Sequence, residues 1–158
     1  MIEEHIDIPT ADGSMNSLVV FPEEDGPHPV VFFYMDAPGK REELHDMARR
    51  LASVGYFVDQ HAMADHQRLG AVGYCMSGPF VMWAAAQFPK RFLSIASIHG
   101  ANMATDAPDS PHRLAPQIQC ECYFACAEID KWAPPADIAL LEASLTAAKV
   151  KHRIEWYP

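Results

Sequence analysis

No run of apolar residues in this chain approaches the ~18 that a membrane-spanning helix needs. The acidic start MIEEHIDIPT carries neither the positive n-region nor the apolar stretch of a secretory signal. Both absences predict a cytoplasmic protein with no membrane partner. Basic residues are scarce as well: 12 Lys and Arg stand against 21 Asp and Glu, a formal net charge of −9. Basic side chains cluster no further than pairs, so nucleic acid is not an expected partner and a small molecule is. Four cysteines, Cys75, Cys120, Cys122 and Cys126, are too few for a secreted disulfide framework in a chain of this size. They are expected to stay thiols. His45, His61, His66, Asp46 and Asp65 are metal-ligand types without a ligand spacing, so neither a metal nor another cofactor is expected.

What is present is enough for one core. The 158 residues are 49% hydrophobic and 21% charged, which suits a single globular domain. The stretch from His5 to Pro29 alternates apolar and polar residues around Asp12-Gly13 and predicts an opening β-hairpin. PVVFFYM (29–35) is a continuous apolar run, as in a parallel strand buried on both faces. REELHDMARRLASVG then carries Leu44, Met47, Ala48 and Leu51 at helical spacing, with Glu42 and Glu43 in its first turn and Gly55 to end it. YFV (56–58) reads as the start of a strand and AVGYC (71–75) as the next. After a helix from Ser77, FLSIASI and QCECYFACA read as strands, with a loop over 101–117 between them. PPADIALLEASLTAAKV reads as helix and HRIEWY as the last strand. Strands alternating with helices predict an α/β domain with a mostly parallel sheet.

Ligands of such sheets bind beyond the carboxyl ends of the strands, which draws attention to Asp36, Cys75, His99 and Asp130. Cys75 has small residues two before it and two and three after it, Gly73, Ser77 and Gly78. A sharp strand-to-helix turn that presents a nucleophile needs that pattern, because its backbones approach closely. The turn also sets the sulfur at a helix N-terminus, where the Met76 N–H can donate to an oxyanion. A buried, inert cysteine is the plainer alternative. Asp130 could instead cap the following helix, Asp36 could be a turn residue beside Pro38-Gly39, and His99 could be a hydrogen-bonded turn residue rather than a pocket wall. Trp132 could wall a substrate site or cover the core. Cys120, Cys122, Cys126, Met76, Met82 and Trp83 read as packing residues.

GYCMSG resembles the nucleophile turn of the dienelactone hydrolases, Gly-Tyr-Cys-x-Gly-Gly, at every position but Ser77. The opening hairpin, VVFFYMDAPG and ACAEIDKWAPP extend the resemblance along nearly the whole chain. It implies an α/β-hydrolase-like three-layer fold, the mostly parallel sheet flanked by helices. It also implies a hydrolase of small esters or lactones in which Cys75 forms an acyl-enzyme and Asp130 orients a histidine. Asp36 stands where that family has a glutamate contacting the resting thiol, one methylene longer. The Ala37 N–H would be the second oxyanion donor beside that of Met76.

Two departures from the family accompany these matches. Its catalytic histidine follows a Tyr-Pro-Gly segment after the last strand, which puts the base beyond Pro158. Between Val58 and Ala71 only twelve residues stand where the family has the rest of a strand, a long loop and a helix, and a bare linker there would leave one sheet face uncovered. Two other readings stay open: an inactive α/β-hydrolase-like binding domain, and a thiol redox sensor acting through Cys75.

Overall fold

The computed structural model describes residues 1–24, 26–53 and 64–158. The expected strand start at 56–58 and His61 lie outside them. Strands β1 (Ile2–Thr10) and β2 (Gly13–Phe21) form the antiparallel hairpin, with Thr10 paired to Gly13 across the turn. Strands β3 (His28–Tyr34), β4 (Ala64–Tyr74), β5 (Phe92–Ile98), β6 (Glu121–Ala127) and β7 (His152–Tyr157) form a five-stranded parallel sheet in chain order. Among the described residues three helices accompany it: α1 (Glu42–Ser53), α2 (Gly78–Gln87) and α3 (Pro135–Ala147). A mostly parallel sheet flanked by helices, with an opening hairpin, is the architecture that the resemblance implies. Strand β4 reaches seven residues further back than AVGYC, so much of the expected linker is strand. The predicted loop over 101–117 ends in a 3-10 helix, Pro111–Gln117.

The core lies on one face of the sheet. Val30, Leu69, Ala71, Ile95, Cys122 and Phe124 of the strands are buried against Val81, Met82 and Ala85 of α2 and Ile138, Leu141 and Leu145 of α3. Cys120, Cys122 and Cys126 are buried free thiols, as alternation along β6 implies. Burial holds the Cys126 thiol up at about 11, with the nearby Asp130 charge adding to the effect. Helix α1 does not join this core. Its Ala48 and Ala52 pack with Val20 of β2, and Arg49 ties it to Glu3 of β1 at 2.6 Å.

The opposite face corrects the expectation for β3. Only Val30 of that strand is fully buried, because β3 is an edge strand among the described elements and its other side opens on a hollow of about 900 Å³. Val31, Phe33, Val72, Ala96 and Tyr123 line that hollow, with Met47 and Leu51 of α1 at its rim. Met76 and Trp83 also differ from their reading as packing residues: they are 47% and 41% exposed, whereas Met82 is buried. Helix α2 is apolar on all sides, so periodicity could not tell its core-facing side chains from its solvent-facing ones. Among the described residues no helix is long and apolar enough to cross a membrane.

Leu141 has no exposed surface and joins α3 to the sheet. Leu141→Ala is expected to lower unfolding stability by about 2–5 kcal/mol, read by urea denaturation. A loss much below that range would mean α3 is not docked as described.

Candidate active site

The carboxyl ends of β3 to β6 bring Asp36, Cys75, His99 and Asp130 to one edge of the sheet. The turn after β4 is the tightest part. Cys75 has φ of +53°, the left-handed region that a side chain normally avoids, and such strain costs on the order of 1–3 kcal/mol unless its surroundings hold it. Cys75–Ser77 form one 3-10 turn that runs directly into α2, so Met76 and the half-buried Cys75 sit at that helix's N-terminus. A Cβ on Gly73 would collide with the Ser77 carbonyl oxygen, and one on Gly78 would come within 2.5 Å of both Gly100 Cα and Ser97 Oγ. These two positions need glycine because α2 starts in contact with the strand and with the loop after β5.

Hydrogen bonds knit the loops around this turn. Ala101 N–H donates to the Cys75 carbonyl at 3.0 Å, and Asn102 N–H donates to that of Trp132 at 2.8 Å. Trp132 N–H in turn donates to Asp130 Oδ1 at 2.8 Å. Asp130 therefore shapes its own loop and is not the cap of α3, whose N-cap is Pro134 with no side-chain cap bond. Trp132 is 55% exposed, so it does not cover the core; Lys131 Nζ lies 5.0 Å over its ring. His99, at φ +41°, donates its N–H to the Ala125 carbonyl, and its ring meets Tyr74 edge-on at 6.3 Å. Among the described residues no histidine is hydrogen-bonded to Cys75 or to Asp130.

Asp36 is engaged elsewhere than its counterpart in the resemblance. Its two carboxylate oxygens accept from Arg41 Nη1 and Nη2 at 2.5 and 2.9 Å, and its carbonyl closes a turn with Gly39 N–H at 3.0 Å. The hydrogen bonds from Arg41 hold this carboxyl below the usual aspartate range, with the Arg41 charge and that of His99 adding to them. The turn reading describes this residue, and its carboxylate is engaged by a guanidinium. Arg41 was not legible as a site residue. An arginine five residues on, across a Pro-Gly turn, was the available signal, and it reads equally well as the start of α1.

Residues 57–158, more than half of the chain, match the model of the Dienelactone hydrolase family. The chain belongs to the dienelactone hydrolase family. A 58-residue stretch is 35% identical to a protein of Methylorubrum extorquens described as a "Putative carboxymethylenebutenolidase"; that stretch is 37% of this chain and 20% of the relative. The match thus spans about a fifth of that curated relative. Among solved structures, a "Putative Dienelactone Hydrolase" from Klebsiella pneumoniae superposes with a TM-score of 0.88 at 20% identity, covering 99% of this chain and 85% of that one. A dienelactone hydrolase-like promiscuous phosphotriesterase from metagenomic libraries gives 0.84 at 15% identity, over 99% and 81%. A dipeptidyl peptidase 4 of Porphyromonas gingivalis gives 0.81 at 16% identity, but this chain covers only 31% of it. At such identities the structural likeness is one of fold, while the family match carries the membership.

The Asp36–Arg41 pair yields a pH prediction. A lowered folded-state pKa adds stability that is present above the unfolded value and is lost as pH falls through the folded one. Arg41→Ala is therefore expected to raise the Asp36 titration midpoint toward the ordinary carboxylate range, measured by carboxyl-carbon NMR. An unmoved midpoint would show that the guanidinium does not hold it.

Proposed function

We propose that this dienelactone hydrolase family member cleaves a small carboxylic ester or lactone, with Cys75 as the nucleophile. The observation that carries the reading is the strained, half-buried Cys75 between β4 and α2, at a turn whose glycines admit no side chain. A backbone held in a sparsely populated conformation at the end of a parallel strand is the setting of a presented nucleophile. In this mechanism the thiolate attacks the carbonyl carbon, and the oxygen takes up the displaced electron pair under the Met76 and Ala37 N–H groups. The tetrahedral adduct then collapses, expels the alkoxide and leaves a thioester on Cys75. A histidine returns the proton to the leaving alkoxide and next takes one from the water that hydrolyses the thioester, while Asp130 orients its ring.

The resemblance places that histidine after β7. Support comes from β7, whose Tyr157 carbonyl accepts the Glu128 N–H at 2.8 Å, so the strand ends beside the loop that carries Asp130. His99 and Trp132 serve as pocket walls in this reading, and the enzyme works in the reducing cytoplasm that keeps its four thiols free.

Cys75→Ala is expected to abolish p-nitrophenyl acetate hydrolysis, at least a hundredfold by initial rates. Turnover that survives the substitution, or that persists after stoichiometric alkylation of Cys75, would refute the assignment.

A further inference from the structure

Ser77 is the one residue of the GYCMSG stretch that departs from its family's pattern, and it is 2% exposed. Its hydroxyl is fully employed. Oγ accepts the Tyr74 N–H at 2.8 Å, and its hydrogen is shared between the carbonyls of Tyr34 at 3.0 Å and Tyr74 at 2.9 Å. Tyr34 and Tyr74 are the last residues of β3 and β4, and the ladder between those strands ends at the Tyr34–Gly73 pair. Beyond that pair Cys75 turns away at positive φ, while the chain leaves β3 through Asp36 and Ala37 into a turn. The Ser77 hydroxyl therefore bridges the two strand ends. Glycine at this position has no hydroxyl, so the bridge would be lost.

The two chain ends it joins are those that carry the proposed oxyanion donors, Met76 N–H two residues past Tyr74 and Ala37 N–H three past Tyr34. We infer that Ser77 is a positioning residue of the oxyanion site, its hydroxyl setting the separation of the Met76 and Ala37 amides. The inference rests on Cys75 being the nucleophile. Oxyanion stabilisation is sensitive to such placement, since donors must meet the oxygen as charge develops on it.

The test compares Ser77→Ala and Ser77→Gly with the parent protein. The glycine variant restores the family's own residue and guards against a packing failure in the alanine one. Three quantities are measured: kcat and KM on p-nitrophenyl acetate, the strength with which a small aldehyde protects Cys75 against iodoacetamide, and the rate of alkylation alone. Aldehyde protection reads a tetrahedral adduct, and so the oxyanion site, without turnover. Alkylation makes no oxyanion and reads only the sulfur. Expected are a fall in kcat and in aldehyde protection of roughly 10- to 100-fold, with KM and alkylation rate held. Unchanged kcat and protection would overturn the inference, as would a fall in alkylation matching the fall in kcat, which would mark a disturbed nucleophile. Cys75→Ala separates the two ideas. If it retains turnover, the nucleophile reading fails; if it is inactive while the Ser77 variants match the parent, only the role of Ser77 fails.

Discussion

Everything at the functional edge depends on one steric constraint: α2 begins in contact with the strand it leaves and with the loop after β5. Gly73 against the Ser77 carbonyl and Gly78 against Gly100 are the two close approaches that set this distance. With the helix start pinned, the chain between β4 and α2 has only Cys75–Ser77 in which to change direction, and Cys75 takes the left-handed conformation. The backbone at that point fixes the direction of the Cys75 Cα–Cβ bond, so where the side chain leaves the turn follows from the scaffold. The strain is offset nearby, by the Ser77 hydroxyl across two strand ends and by Ala101 N–H on the Cys75 carbonyl.

The scaffold behind the turn is lopsided. Helices α2 and α3 bury one face of the parallel sheet, whereas the helix after β3 packs on the hairpin and the other face stays open among the described residues. The sequential strand order explains the buried side, because crossovers of one hand between neighbours taken in order fall on one face. The site stands apart from this asymmetry. Its loops are bonded to each other, Cys75 to Ala101, Asn102 to Trp132 and Trp132 to Asp130, so the Cys75 turn and the Asp130 loop share one hydrogen-bond network.

Electrostatics divides the two acids at the edge. Asp36 is held ionised by a paired guanidinium on its own loop, which suits a fixed negative charge at the rim. Asp130 keeps one carboxylate oxygen on a backbone N–H of its own loop, a posture that orients the group and leaves its other oxygen to receive a donor. Met76 and Trp132 are exposed at that edge and add apolar surface to it.

Much of this was legible in the residues. Alternation around Asp12-Gly13 marked the hairpin, helical spacing with early glutamates marked α1, and the small residues around Cys75 marked the turn, because each signal is local and acts within a few residues of itself. The strand ends identified Asp36, Cys75, His99 and Asp130 as one edge, since parallel strands share a direction. Tertiary structure alone decided the rest. Which side chains of the uniformly apolar α2 face the core depends on the neighbours it meets, as does the half-open state of β3 at an edge. The capture of Asp36 by Arg41 and the three bonds of the Ser77 hydroxyl join groups on separate strands or across a turn. Their partners are chosen by distance in space, which no pattern along the chain encodes.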